Sequence, residues 1–238
     1  MHPRMIRRAI SFGSHAAAHQ RPCGAMPRSA GRIQQRYDAE MRMLDRPASG
    51  DLQPYLGQWL DMAPVDFSPL LPYFRRCQFK AGDHLFQLGD ATDDLVLLTE
   101  GLIRCYYVHG SREINLRLLS APAAALPYRS FLDQRPADEA LQALSDGAGF
   151  WVRFRAFCRD HPGLLAECMR RELAERHFRA LQRRLHMLQS RNATERYAFY
   201  RTHMEPEIVA GTPAYHVASY LGIAPESLSR IKATLEKC

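Results

Sequence analysis

No stretch of this 238-residue chain approaches the ~18 consecutive apolar residues that a membrane-spanning helix requires. Cysteine is sparse and scattered. The six thiols, Cys23, Cys77, Cys105, Cys158, Cys168 and Cys238, form no C-x-x-C pair and lie at no metal-ligand spacing with histidine. That argues against a disulfide framework or a zinc site, and for free thiols in a reducing cytoplasm. A Gly-rich phosphate loop, a nucleophile elbow and paired metal-ligand motifs are also missing. No catalytic residue, no metal and no cofactor are therefore expected, and the enzyme reading is set aside. Acidic residues are absent before Asp38.

What charge there is falls unevenly. The net formal charge is +7. Residues 1–50 carry nine Arg against Asp38, Glu40 and Asp45, a net of +6. Residues 51–161 sum to −3, residues 162–204 to +5 and residues 205–238 to −1. The basic balance is thus largely a property of the N-terminal segment, and bulk charge alone says little about nucleic acid. The arginine excess over 162–204 is the more telling one, because it precedes a candidate DNA-reading segment and offers phosphate contacts beside it.

Residues 1–50 show no persistent apolar period and are rich in Gly, Pro, Ser, Ala and Arg. They read as a disordered basic extension, with residues 1–45 dispensable for folding. No continuous apolar region of secretory type is present. Met41 and Met43 offer later starts for translation. Short helices are expected at Tyr55–Leu60 and Phe67–Leu71. Beyond Pro72 the period changes to two. Runs at Tyr73–Lys80, His84–Leu88, Leu95–Thr99, Leu102–Val108, Glu113–Leu119, Ala140–Leu144 and Phe150–Arg153 are separated by turn signals at Gly82, Gly89, Gly101 and Gly110. Many short strands at such spacing predict an antiparallel sandwich or barrel.

The helical period then returns. Arg155–Asp160 is a short helix, and Gly163–Gln189 runs on without Pro or interior Gly. At 1.5 Å per residue that helix is roughly 40 Å long and overhangs a small barrel. Ala174, Phe178, Leu181, Leu185 and Leu188 alternate spacings of four and three, a heptad seam for a two-fold dimer. Thr194–His203 is the next helix, capped by Asn192 or Thr194, and Glu205–Gly211 is a linker.

The last stretch, Thr212–Cys238, reads as a helix-turn-helix. Counting from Ala214, the small Ala218 falls at position five, where two helices must touch. Gly222 falls at position nine, where the turn needs a positive φ. Val217, Leu221, Ile223, Leu228 and Ile231 supply the apolar positions, and Pro225 starts the second helix at no cost in hydrogen bonding. Glu226, Ser227, Ser229, Arg230 and Lys232 are left outward as DNA-binding candidates. Glu226, Ser229 and Arg230 share one face. A carboxylate accepts from cytosine N4, and a guanidinium grips guanine O6 and N7. The alternatives are a helix-dipole role for Glu226 and a phosphate contact for Arg230.

A β-roll, a long helix and a C-terminal helix-turn-helix in this order resemble the cyclic-AMP receptor protein and fumarate–nitrate regulator (Crp/Fnr) family. The carriers are Phe79 to Phe86, Gly89-Asp90, Leu98 to Arg104 and Val217 to Ile223. The resemblance implies an α+β chain. It divides into the extension 1–50, a cyclic-nucleotide-binding-like antiparallel β-roll over 51–161, a long dimerisation helix over 162–191 and a helix-turn-helix domain over 192–238. It further implies a cytoplasmic, dimeric transcription regulator with double-stranded DNA, a second copy of itself and RNA polymerase as partners, and no membrane. The Glu-x-x-Ser-Arg pattern at 226–230 resembles the one fumarate–nitrate regulators use.

Two departures limit what is carried over. The Gly-Glu and Arg-Ser or Arg-Thr pairs that hold a cyclic nucleotide in the family fall here at Pro127-Tyr128 and Ala137-Asp138. Asp138 repels a phosphate, so no cyclic nucleotide is expected, and Arg129 with Ser130 remain weak ligand candidates. Cys23 stands without the cysteine cluster of the iron–sulfur members. The family's β-hairpin wing has no counterpart before Cys238, which leaves phosphate contacts to Arg191, Arg196, Arg201, Lys232 or Lys237. The alternative function kept open is an effector-binding module that still takes a cyclic nucleotide or another small anion.

Overall fold

The computed structural model describes residues 41–60, 66–189 and 192–235. Nine strands form two antiparallel sheets among them: β1 (Arg42–Met43), β2 (Phe74–Phe79), β3 (His84–Phe86), β4 (Leu95–Glu100), β5 (Leu102–His109), β6 (Arg112–Ser120), β7 (Ala123–Ala125), β8 (Ala140–Ala143) and β9 (Gly147–Val152). One sheet has the order β1-β2-β9-β4-β7 and the other β3-β8-β5-β6. Helices α1 (Ser49–Leu60), α2 (Tyr128–Asp133), α3 (Phe154–Asp160), α4 (Leu164–Gln189), α5 (Ala193–His203), α6 (Pro206–Gly211), α7 (Ala214–Leu221) and α8 (Pro225–Leu235) complete the described chain, with a 3-10 turn at Ser68–Tyr73. The fold is α+β, a β-roll followed by a helical unit.

The sequence of β4 shows why the roll is layered. Leu95-Val96-Leu97-Leu98 is apolar throughout because both faces are covered. Val96 and Leu98 point into the core between the sheets, with Cys77, Phe79, Phe86, Ile103, Leu141 and Trp151. Leu95 and Leu97 point outward, into a second core with Phe150 and Val152 of β9, Leu52 and Leu56 of α1, Phe154 and Phe157 of α3, and Met169 and Leu173 of α4. The two strands lie so close that a Cβ on Gly149 would sit 2.4 Å from the carbonyl oxygen of Leu97. Only glycine fits there.

α4 connects the two halves of the molecule. Its first half buries Ala166, Met169 and Leu173 on the roll, and its end buries Met187 among the helices that follow. Glu172–Arg176 and Glu175–Arg179 pairs, each one turn apart, run along it, the second on its solvent side. A third core joins Leu102 and Leu118 of the roll to Tyr197, Tyr200, Ile208, Val217, Ala218, Leu221 and Leu228. No helix among the described residues is long and apolar enough to cross a membrane.

The chain departs from the sequence reading in several places. The expected extension over 1–50 is corrected at its C-terminal end. Met41 is buried between the sheets, and β1 pairs with β2, setting Arg42 opposite Gln78 and Met43 opposite Cys77. Asp51 accepts from the backbone N–H of Ala48 at 2.8 Å, and α1 begins at Ser49. Residues 41–45 therefore contribute a core side chain and a strand, against the expectation that 1–45 are dispensable; residues 1–40 lie outside the described part. The helix expected at Tyr55–Leu60 starts earlier, the strand expected at Phe150–Arg153 starts at Gly147, and the linker at Glu205–Gly211 holds helix α6. β7 and α2 had no local signal.

Candidate nucleic-acid interface and the cleft beside it

The turn between α7 and α8 is built as its residues demand. Gly222 ends α7 with φ 65°, ψ 39°, the left-handed conformation that glycine adopts without strain. Its N–H reaches back to Ser219 O, and the N–H of Ile223 reaches Ala218 O at 3.1 Å. Ala218 is fully buried, and Leu228 packs beneath it in the third core, with Ile223 and Ile231 at its edge. Pro225 is the first residue of α8. Opposite the buried Leu228, Glu226, Ser229 and Arg230 are exposed, while Ser227 and Lys232 are half-buried. The Lys232 ammonium lies 6.0 Å from the Tyr197 ring centre.

Two arginines of the basic stretch serve the architecture. Arg196 donates to Leu221 O at 3.2 Å and to Leu188 O at 3.0 Å, capping the carbonyl ends of α7 and α4 together. Arg184 bridges Leu116 O of β6 and Tyr220 O of α7. α5 opens with a reciprocal capping box between Asn192 and Glu195. Of the proposed phosphate contacts, Arg201 is exposed, Arg196 is engaged as described, and Arg191 and Lys237 lie outside the described residues.

Along α4, Ala174, Phe178, Leu181 and Leu185 are exposed, the last three as large apolar side chains. Leu188 sits apart from them, half-buried against the third core. A largely apolar groove of about 510 Å³ runs beside Phe178 and Leu181, floored by Tyr128, Phe131, Leu132 and Phe154.

On the other side of α4 lies a cleft of about 410 Å³, lined by Arg117 of β6, the β6–β7 turn, Tyr128, and Arg176, His177 and Arg183 of α4. The weak ligand candidates are not part of it. Arg129 is an exposed partner of Asp138, and the buried Ser130 donates to Asp90 O at 3.2 Å. The residues that do face the interior went unnoticed in the sequence. Glu139 is buried, with its carboxylate 3.4 Å from Arg117 Nη2. It also accepts from the Tyr128 backbone N–H at 2.5 Å and from the Cys105 thiol at 3.0 Å. Arg117 Nη2 donates to Leu126 O at 2.8 Å. Burial pushes the Cys105 thiol and the Tyr128 phenol up to about 12. The Tyr128 hydroxyl donates to Leu173 O at 2.6 Å, and its ring stacks on His177 with centres 3.6 Å apart. His177 is held down to about 4, first by burial and then by Arg117. The period-two series Glu139, Leu141, Ala143 was the available signal, since it places Glu139 on the inward face of its strand.

No family model matches the chain, and comparison with curated proteins finds no match. Solved structures do match in shape. FixK2 from Bradyrhizobium japonicum is 13% identical with a TM-score of 0.56, over 68% of this chain and 84% of that one. The c-di-GMP-responsive global regulator CLP of Xanthomonas campestris is 14% identical with a TM-score of 0.58, over 71% and 89%. A CRP-family transcriptional regulator from Thermus thermophilus is 19% identical with a TM-score of 0.54, over 67% and 84%. The likeness is one of fold, and the chain has a Crp/Fnr-like fold.

Proposed function

We propose that the protein is a cytoplasmic, dimeric, sequence-specific DNA-binding transcription regulator whose β-roll senses a signal. The observation that carries this reading is α8: Glu226, Ser229 and Arg230 stand exposed on the face opposite Leu228, on a helix packed against α7 across the Gly222 turn. Two such helices in a two-fold dimer read half-sites about one helical turn apart. Selection of bound sequences from random DNA tests the reading. An inverted repeat with a G·C pair beside A·T pairs in each half-site is expected, and no enriched motif is the contrary result.

A second reading, an effector module for a small anion, rests on Arg176 and Arg183 along the cleft beside α4. Cyclic nucleotides fit it poorly. Glu139 already takes up Arg117 and the Tyr128 N–H, and a second anion beside that carboxylate meets repulsion. Calorimetry with cyclic AMP and cyclic GMP is expected to show no binding at micromolar concentrations. Micromolar affinity for either overturns this part.

A further inference from the structure

DNA reading does not use the most deeply buried polar contact between the β-roll and α7. Asn115 of β6 is fully buried, and Arg104 of β5 and His216 of α7 nearly so. Asn115 Nδ2 donates to the backbone carbonyl of His216 at 3.0 Å, which fixes its amide with the NH2 toward α7. Its Oδ1 accepts from Arg104 Nη1 at 3.4 Å. The His216 Nδ1 therefore faces two donors, Asn115 Nδ2 at 3.3 Å and Arg104 Nη1 at 3.4 Å. Only a neutral imidazole with its proton on Nε2 accepts there. One turn further along, the Ser219 hydroxyl accepts from the Asn115 backbone N–H at 3.0 Å and donates to Glu113 O at 3.2 Å.

We propose that this contact is an acid-released latch: neutral His216 holds α7 on β6 and keeps the helix-turn-helix in one position relative to the β-roll, and protonation of His216 detaches it. A protonated Nδ1 would be a third donor in a site that offers it no acceptor, a loss made larger by burial. The charged groups facing His216 are Arg104 of β5, which opposes its protonation, and Glu113 of β6, which favours it. Glu113 is drawn to Arg104 Nη2 at 2.6 Å, and Gln142 of β8 accepts from the same guanidinium. The phenols nearby are Tyr106, under Arg104, and Tyr215, next to His216 in the chain. Burial first, and Arg104 second, hold His216 down to about 4 from its ordinary 6.5. The sign follows: docking is fully present above pH 6.5, weakens as pH falls toward 4, and changes no further below that.

The test uses the full chain without DNA, so its outcome is separate from that of DNA reading. His216→Asn keeps an acceptor near the Nδ1 position and does not titrate. Imidazole titrations of the histidine-labelled protein identify His216 by the signal missing from the variant. Hydrogen exchange over 214–221, compared with the variant at each pH, reports docking. The expected result is a His216 midpoint near pH 4 and a docking equilibrium that drops roughly 20-fold, relative to His216→Asn, between pH 7 and pH 5. Asn115→Asp replaces one of the two donors facing Nδ1 with a carboxylate, so the midpoint rises toward the ordinary 6.5 and the acid release weakens. The wild-type midpoint and Asn115→Asp decide the matter if His216→Asn fails to fold. A wild-type midpoint near 6.5, the same pH course in wild type and His216→Asn, or no upward shift in Asn115→Asp overturns the proposal.

Discussion

Replacing Phe178 and Leu185 together by glutamate is expected to leave a folded monomer that binds its DNA site about 10²- to 10⁴-fold more weakly, the range by which linking two binding modules raises avidity. The folding of the single chain is spared because neither side chain is packed. Phe178 is 63% exposed, Leu181 43% and Leu185 51%. Three large apolar residues at spacings of three and four on one exposed helix face are what a partner surface looks like. The adjoining groove below Tyr128 and Phe131 extends that face onto the roll. The opposite side of α4 buries Met169 and Leu173 in its own chain, so the two faces have separate uses. Leu188 packs on the helical unit, which leaves Ala174, Phe178, Leu181 and Leu185 as the exposed seam. Charges placed on that seam repel their symmetry mates and lose their hydration on association. Light scattering after size exclusion checks the assembly, and titration of the selected site checks the affinity. A wild-type protein that is already monomeric at micromolar concentration contradicts the seam.

Glu139→Ala is expected to cost the fold about 3–5 kcal/mol, the usual penalty for stripping one partner from a buried ion pair. At ~2–4 °C per kcal/mol for a chain of this size, the melting temperature falls by roughly 10 °C. The reason is Arg117, which is as buried as its partner and cannot shed its charge. Without the carboxylate its Nη2 keeps only Leu126 O and the Cys105 sulfur. The Tyr128 N–H and the Cys105 thiol lose their acceptor at the same moment. Arg117→Met combined with Glu139→Leu removes both charges and should recover most of the loss, because the desolvation cost disappears with the attraction. Thermal unfolding of the single and double variants measures the difference. A single variant within 1 °C of wild type contradicts a buried, paired Glu139.

The pair α7 and α8 and the turn between them were legible because their constraints are local. Gly222, Ala218, Pro225 and the apolar positions all lie within a dozen residues and each has one geometric reason. The turn glycines Gly82, Gly89, Gly101 and Gly110 likewise announced the strand breaks, and all four have positive φ. β1 and β7 were not legible. They are two and three residues long, and the Ala123–Ala125 run has no β-branched or aromatic residue to mark it. The interior polar groups escaped for another reason. Arg104, Asn115 and His216 meet across more than a hundred residues of chain, and no period in the sequence encodes that meeting. Arg117 and Glu139 drew no reading from the sequence, although strand alternation with the apolar Leu119 and Leu141 places them inward. Arg129, the arginine singled out as a ligand, instead points to solvent.

The most direct test of base reading by α8 is a pair of titrations, wild type and Arg230→Ala, on the selected site and on random DNA at three salt concentrations. Arg230 is exposed on the same face as Glu226 and Ser229, with only a 3.5 Å contact from its Nε to Glu226 O to hold it. A guanidinium placed to grip guanine predicts a loss of roughly 1–3 kcal/mol on the specific site, with a relaxed guanine preference and little change on random DNA. Equal losses on both DNAs, with a salt slope shallower by about one, would show a phosphate contact instead and contradict base readout by Arg230.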